Sequence, residues 1–567
     1  MTPIRTLLLA SLITAALPVS AQTSDKDELA RLRATTQALI DALVSQGLLT
    51  RDKAEAILKQ AQSSTAAAVS APAVVPALGP GSPATAEAPK VLRIPYVPET
   101  VRAQMRDEIK ADVLAQAKGE RWGQADALPD WIGRIRVSGD LRMRAQSEFF
   151  SDGNVPAEIF RAQTSSPAWS PDITNTNVDR QRLTLRARLE VDAKLSEQVS
   201  SALRITSGGT TGPTSTSQTL GSNFNRYALG LERASIKWQP PQFSNGISAE
   251  FGRFGNPFYG TDLSWPDDLA FDGVAVKLHQ VFAPRQAVYA TVGAFPLEEF
   301  ANSSHDKWLL GAQVVGEYEI VSGMVAKLGL AGYEFRNVAG TREANPPPSG
   351  PRAGTTGYGI SQYPSSLRLR GNTLININDS TSTSAPTWGL ASRFRPVNLT
   401  AGLDIDAWNS NRFSLSFDWI KNTGFDLADI QSRAGVAFSS QGDQPNALLA
   451  KTSAYQGRAQ IGSTRVARKG DWQAFAAYRL VERDSWIDGF TDTTWHLGGT
   501  NYKGWQLGGS YGLDRNFWVN AKWTSTRNLD DGVRFLAVPS DPTSLSGNLS
   551  SAPLRIDVFQ LELNARF

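Results

Sequence analysis

The clearest pattern in the chain is an unbroken alternation of apolar and polar residues over its last positions, 559–567. The apolar positions are Phe559, Leu561, Leu563, Ala565 and Phe567, and the polar positions are Gln560, Glu562, Asn564 and Arg566. A repeat of two residues predicts a β-strand, because successive side chains of a strand point to opposite faces. The chain therefore ends in a strand with one apolar face and one polar face.

The same alternation recurs from Ile132 onward. Segments with this pattern are 134–144, 182–194, 308–320, 397–406, 413–419, 472–478, 505–513 and 517–523. The connections near 196–198 and 322–323 are tight. Long connections rich in Gly, Ser, Asn and Pro are 145–178, 207–224, 337–385, 422–450 and 528–552. Short turns on one side and long loops on the other are typical of outer-membrane barrels, in which apolar strand faces contact lipid.

We therefore predict an all-β transmembrane barrel of about 16–18 antiparallel strands, even in number because both termini should be periplasmic. A soluble sandwich is the alternative, since it can also end in an amphipathic strand. The mean hydropathy of −0.27 favours the barrel among membrane folds, because half of each barrel strand faces water. The 15 Trp, 24 Phe and 12 Tyr suit the aromatic girdles of such a barrel.

The rest of the chain divides into segments of distinct composition. These are residues 1–21, a secretory signal peptide; 22–61, a helical or coiled-coil head; 62–90, an Ala/Pro-rich linker; 91–131, an amphipathic helix leading to the barrel; and 132–567, the barrel. The signal peptide is indicated by Arg5, the apolar run that follows it and the small residues before Gln22. An exported chain with this C-terminal strand is expected in the outer membrane of a Gram-negative cell, with a periplasmic N-terminal extension.

Arginines are concentrated on the polar faces of the first two predicted strands. The candidates for lining a pore are Arg134, Arg136, Arg142, Arg144, Arg182, Arg186, Arg188 and Arg253. A cation on the lipid face near the bilayer midplane would cost about 2–4 kcal/mol, so a barrel directs these side chains inward. A basic wall favours anions. The alternative is that Glu190, Asp192 and neighbouring acids neutralise the wall in ion pairs.

The second charged feature is the segment 252–273, in which Gly and Pro interrupt a strand and carboxylates follow. The candidates for a constriction loop are Asp262, Asp267, Asp268 and Asp272. Folded into the barrel, this segment would place acids opposite the arginines and narrow the pore. The alternative is an extracellular loop that binds a divalent cation through its Asp cluster.

The segment Gly252–Gly273 resembles the Gly-Arg, Asn-Pro-Phe and Asp-rich stretch of the bacterial putative porin family. Residues 94–99, 116–123 and 129–142 resemble the sequence with which that family approaches its barrel. The resemblance covers about residues 91–567. It implies an outer-membrane diffusion pore and supplies no catalytic residues, and the N-terminal head corresponds to the family's variable part.

The sequence gives little support to an enzyme. Its three histidines, His279, His305 and His496, have no metal-ligand spacing and no evident nucleophile partner. The absence of Cys excludes thiolate chemistry and disulfides. We expect no catalytic residues, no metal and no cofactor.

The predicted function is a water-filled porin for passive diffusion of small hydrophilic solutes, anions among them. The alternative is a cell-envelope tether, in which the helical head binds peptidoglycan or another envelope partner and the barrel is an anchor. The expected surroundings are outer-membrane lipid and lipopolysaccharide, with a homotrimer as one compatible assembly and no nucleic-acid partner. Neither the solute nor the oligomeric state follows from the sequence.

Overall fold

The barrel wall consists of sixteen antiparallel strands in a computed structural model of the chain. The model describes residues 132–154, 175–209, 212–240, 246–301, 303–345, 349–350, 359–382, 387–408, 411–440, 447–530, 535–536 and 553–567. The predicted signal peptide, the head, the linker and the segment 91–131 with its amphipathic helix lie outside these residues, and their predictions remain untested.

The wall strands follow the chain order around the ring. They are β1 (Ile135–Phe150), β2 (Arg180–Lys194), β3 (Val199–Ser207), β5 (Leu229–Trp238), β6 (Ile247–Gly255), β7 (Ala270–Ala283), β8 (Gln286–Glu298), β9 (Lys307–Val321), β10 (Met324–Arg336), β13 (Pro396–Asp406), β14 (Asn411–Asn422), β15 (Ser453–Ser463), β16 (Trp472–Val481), β17 (Tyr502–Asp514), β18 (Phe517–Asn528) and β20 (Arg555–Arg566). Each pairs with its neighbour, and β20 pairs with β1 to close the ring. The predicted closed, even-numbered barrel is therefore confirmed.

Smaller elements lie in the connections. They are β4 (Gln218–Thr219), β11 (Leu374–Asn376), β12 (Trp388–Leu390), β19 (Phe535–Leu536), the helix α1 (Leu427–Ala434), and short 3-10 turns at Ile132–Arg134 and Asp488–Phe490. The predicted loop 145–178 begins later than expected because β1 continues to Phe150. The predicted loop 422–450 contains α1, which Asp426 caps by accepting hydrogen bonds from the backbone N–H groups of Ala428 and Asp429. No helix among the described residues is long and apolar enough to cross a membrane.

The two faces of the wall have opposite chemistry, as the alternation predicted. On the outer face, Leu141, Val314 and Leu328 are 48%, 56% and 57% exposed. The residues that alternate with them are polar and buried on the inner face, for example Arg144 and Gln313. Lipid can cover the apolar outer face, which gives the exposed leucines and valines an apolar environment.

Part of the interior is apolar, which the sequence did not predict. Inner-face residues of several neighbouring strands form a cluster with residues of the inward-facing connections. Its largest members are Phe254, Phe258, Trp265, Phe271, Phe295, Leu309, Tyr333, Phe335, Trp388, Phe394, Trp486, Phe490, Trp495 and Tyr502. The interior therefore contains an apolar region beside its polar ones.

The lipid-facing assignment predicts the effect of a charge on the outer wall. Leu328→Arg should lower the free energy of unfolding by about 2–4 kcal/mol if Leu328 lies near the midplane. Urea unfolding of the barrel in phospholipid vesicles measures this loss. The matched variant is Ser414→Arg, because Ser414 faces inward and donates a hydrogen bond to Asp404 at 2.6 Å. Equal losses in the two variants would contradict the assignment of faces.

Candidate functional site

The segment 256–269, here called the inward segment, leaves the wall after β6 and crosses the interior before β7. Asn256 and Pro257 end β6, because proline has no N–H for the ladder and the Asn256 side chain accepts from the backbone N–H of Phe258 at 2.9 Å. Further along, the backbone N–H of Tyr259 donates to Gln313 of β9 at 2.7 Å. The Thr261 hydroxyl donates to Asp418 of β14 at 2.6 Å.

The remainder of the segment reaches two other parts of the wall. Asp262 accepts hydrogen bonds from Gln456 of β15 at 2.9 Å and from the Trp495 indole at 3.2 Å. The Arg479 guanidinium of β16 lies 2.9 Å from the same carboxylate. Asp268 pairs with Arg186 and Arg188 of β2, a strand that lies beyond the junction of β20 and β1. The segment therefore lies inside the barrel and is held to both sides of it.

Aromatic packing fixes the apolar face of the inward segment. Phe258 makes edge contacts with Tyr333 and Phe295, at centroid distances of 5.1 and 6.1 Å. Trp265 is 3% exposed and packs edge-on against Trp486 at 4.8 Å. These rings attach the segment to the apolar cluster and leave its polar face toward the rest of the interior.

A polar cavity of about 550 Å³ lies on that polar face. Its cationic side chains are Arg142, Arg144, Arg186, Arg458 and Lys522, and its acidic side chains are Asp262, Asp267, Asp268, Asp492 and Glu562. The set combines wall residues from β1, β2, β15, β18 and β20 with acids of the inward segment and of the 482–501 connection. Opposite charges thus surround a space large enough for a small solute.

Asp268 is the centre of the strongest charge cluster. Its carboxylate lies 2.8 Å from Arg188, 3.0 Å from Arg186 and 4.0 Å from Arg142. Burial alone would raise the pKa of Asp268, but the three arginines lower it to about 2. Arg186 also binds Asp140 at 2.9 Å. The carboxylate therefore stays ionised and neutralises part of the arginine wall.

Other predicted arginines also have acidic partners. Arg144 lies 2.6 Å from Glu562, Arg182 lies 2.9 Å from Glu148, and Arg188 lies 2.8 Å from Glu232. Ion-pair neutralisation, which the sequence left open, is therefore present along both strands. It does not decide the net selectivity of the wall, because several cations of the polar cavity have no such partner.

The remaining candidates lie away from the polar cavity. Arg134 and Arg136 border a separate cavity together with Glu190 and Asp192. Arg253 pairs with Asp272 at 2.7 Å in the ladder between β6 and β7. This pair lies on the sheet face opposite to the buried Phe254 and Phe271, because alternate residues of a strand point to opposite faces. Asp272 thus belongs to β7 rather than to the inward segment.

Several residues of the cavity were not among the candidates predicted from the sequence. Lys522 and Glu562 occupy the polar faces of predicted strands, but no local cluster singled them out. Arg458 belongs to β15, which was not among the predicted strands. Asp492 belongs to a connection that returns into the barrel, which no local pattern indicates. The alternation of the predicted strands could have identified Lys522 and Glu562 as inward-facing.

No group of three or more His, Cys, Asp or Glu side chains among the described residues is arranged to hold a metal ion. His279 stacks on Tyr289, with the ring centroids 4.6 Å apart. His496 is buried, and hydrogen bonds connect its ring to Thr526 at 2.9 Å and Asn528 at 3.2 Å. Both rings have structural contacts in the wall and its connections.

A family model described as "Putative porin" matches residues 33–567. The chain belongs to the putative porin family. As a porin, it is an outer-membrane β-barrel channel. No curated protein matches the porin's sequence significantly.

Solved structures similar to this porin are themselves outer-membrane proteins. Pseudomonas putida OprB is 13% identical, with 76% of this chain and 94% of that chain covered and a TM-score of 0.42. The channel DcaP of Acinetobacter baumannii is 8% identical, with coverages of 76% and 97% and a TM-score of 0.38. Salmonella typhi OmpF has the same identity and coverages and a TM-score of 0.37.

The porin's Asp492 should titrate in the mildly acidic range. Burial raises the pKa of Asp492 to about 6, and the negative charge of Asp262 adds to the effect. The neutral acid is favoured in the folded state, so this contribution to stability is present below about pH 4 and is lost as the pH rises through about 6. Asp492→Asn should therefore unfold like the native chain at low pH and be more stable by up to about 3 kcal/mol at pH 8.

Urea unfolding in vesicles at the two pH values measures this difference. The amide introduced by Asp492→Asn would retain an acceptor for the backbone N–H of Thr494, which donates to Asp492 at 2.7 Å. The control is Asp514→Asn at the exposed end of β17. An unchanged difference between Asp492→Asn and the native chain across the pH range would refute the assignment.

Proposed function

We propose that the chain forms a water-filled channel for passive diffusion of small hydrophilic solutes and that it favours anions. The polar cavity between the inward segment and the arginine wall supports this proposal. It is lined by ionisable groups, whereas a tether needs no solvated interior. Solutes would pass along the cavity wall, to which β1, β2, β15, β18 and β20 contribute.

The anion preference rests on an imbalance among charges without close partners. Among the described residues, Arg458 and Lys522 have no carboxylate within 4.0 Å, and Arg142 has its closest at 4.0 Å. Two carboxylates of the same cavity, Asp267 and Asp492, have no Lys or Arg nitrogen of a described residue within 4.0 Å. Arg458 and Lys522 thus face two such acids, and the excess of positive charge arises as the pH falls, because the raised pKa of Asp492 lets its carboxylate become neutral.

The donor geometry of this wall suits small anions. Arg142 donates to the Ser217 hydroxyl at 2.7 Å, which orients its guanidinium without neutralising it. Arg458 stacks on Phe475, with the guanidinium carbon 3.9 Å from the ring centroid. Oriented guanidinium groups bind carboxylates and phosphates through paired N–H donors.

The predicted periplasmic position of the N-terminal extension, the homotrimer and the envelope partner remain parts of this proposal.

The channel is tested first by the conductance of the purified, folded chain in a planar lipid bilayer. We expect discrete current steps in KCl and, under a salt gradient, a reversal potential whose sign indicates chloride preference. Absence of conductance from a verified barrel would contradict the pore and favour the tether. A cation-selective pore would keep the channel and reject the anion preference.

The basic wall is tested by reversing two of its charges. Arg142→Glu combined with Arg186→Glu should lower the chloride-to-potassium permeability ratio roughly tenfold, since unit charges a few ångströms apart interact by about 1–4 kcal/mol in such surroundings. Reversal potentials of the variant and native pores measure the ratio. The matched control is Lys469→Glu with Arg515→Glu, a double reversal in two exposed turns. Equal ratios in both variants would refute the basic wall.

A further inference from the structure

A second cavity, here called the lysine cavity, lies across the inward segment from the polar cavity. Its volume is about 510 Å³. Asn256, Gly260 and Thr261 of the inward segment line the polar cavity, whereas Pro257 and Tyr259 line the lysine cavity. One short stretch of chain therefore separates two spaces that differ in their chemistry.

Aromatic and aliphatic groups make up much of the lysine cavity. Tyr259 lies against β10 and β13 at positions where the wall has glycine. A Cβ atom at Gly329 would lie 3.0 Å from the Tyr259 ring, and one at Gly402 would lie 2.7 Å from its hydroxyl. Across the cavity, His279 and Tyr289 are stacked with an interplanar angle of 6°. These flat surfaces suit a planar ring.

The charged groups of the lysine cavity leave a net positive charge. Lys327 pairs with Glu317 at 3.0 Å, and the Tyr289 hydroxyl donates to the same carboxylate at 3.3 Å. Lys237 and Lys277 also line the cavity, and neither has a hydrogen bond or ion pair with a described residue.

The Glu250 carboxylate lies near Lys237 and Lys277 but cannot neutralise both of them. Glu250 stands opposite Lys237 in the ladder between β5 and β6, but accepts from the Ser235 hydroxyl at 3.0 Å. Three lysines thus face two carboxylates, Glu250 and Glu317. The excess is a single positive charge beside two ammonium groups with free donors.

We propose that the lysine cavity binds a small aromatic monocarboxylate. The carboxylate accepts from Lys237 and Lys277, and the ring packs between Tyr259 and the His279–Tyr289 stack. As a step in permeation, this site rests on the proposed channel function, but binding itself does not require conduction. A dianion such as a phosphate monoester would exceed the single positive charge, and a sugar would leave both ammonium groups without a counter-charge.

Fluorine NMR of para-fluorobenzoate with the folded, full chain in detergent measures this binding directly. We expect saturable binding that Lys237→Gln with Lys277→Gln weakens at least tenfold, as expected for the loss of charged hydrogen bonds. The matched control is Lys469→Gln with Arg515→Gln, which removes two positive charges from exposed turns and should leave the affinity unchanged. Equal weakening by the control would overturn the assignment to the lysine cavity.

Two further probes separate the parts of the site. Para-fluorobenzamide has the same ring without the charge, and trifluoroacetate has the charge without the ring. Both should bind at least tenfold more weakly than para-fluorobenzoate, and equal affinity of either would overturn the corresponding half of the proposal. Currents in KCl without para-fluorobenzoate binding would reject this site alone, whereas binding without currents would reject only the channel.

Discussion

The structure depends on one constraint: a backbone that crosses lipid must have every N–H and C=O group hydrogen-bonded within the protein. A sheet meets this condition only when it closes, since an open edge would leave a row of unpaired groups in hydrocarbon. Here the last strand closes the sheet on the first, and the Gly139 N–H donates to the carbonyl of Phe567 at 3.2 Å. The C-terminal residue is therefore part of the closure.

Closure also decides where the charges lie. Each wall strand has one face toward lipid, so most of its charged residues share the interior and must find partners or water there. Arg144 of β1 meets Glu562 of β20 because the closing strands are neighbours, although the two residues are far apart in the chain. The arginine wall and its acids are consequences of the same closed sheet.

The strands could be predicted because their signal is local. Leu561 and Leu563 indicate a lipid-facing row without reference to any other part of the chain. The partners of the inward segment could not be predicted, because Asp262 meets Arg479 only through the folded barrel. The apolar part of the interior could not be predicted because the local pattern is ambiguous there. Leu309 is buried and the adjacent Trp308 is exposed, and two neighbouring apolar residues do not show which of them faces lipid. Of the candidate residues, Arg142 of β1 lies directly opposite Arg186 of β2, whereas Arg253 lies on the other sheet face from the buried Phe254.

Aromatic packing and buried ion pairs contribute differently to the position of the inward segment. Burial of a large side chain such as Phe258 or Trp265 stabilises a structure by about 2–3 kcal/mol. A buried ion pair such as Asp262–Arg479 gains little net energy, because removing both charges from water offsets their attraction. Loss of one partner is nevertheless costly, since it leaves the other charge unpaired. The aromatic rings therefore hold the segment inside the barrel, and the ion pairs select the register in which Asp262 meets Arg479 and Asp268 meets the arginines of β2. That register places Asn256 and Thr261 toward one cavity and Tyr259 toward the other, so the division of the interior follows from the order of residues along a single loop.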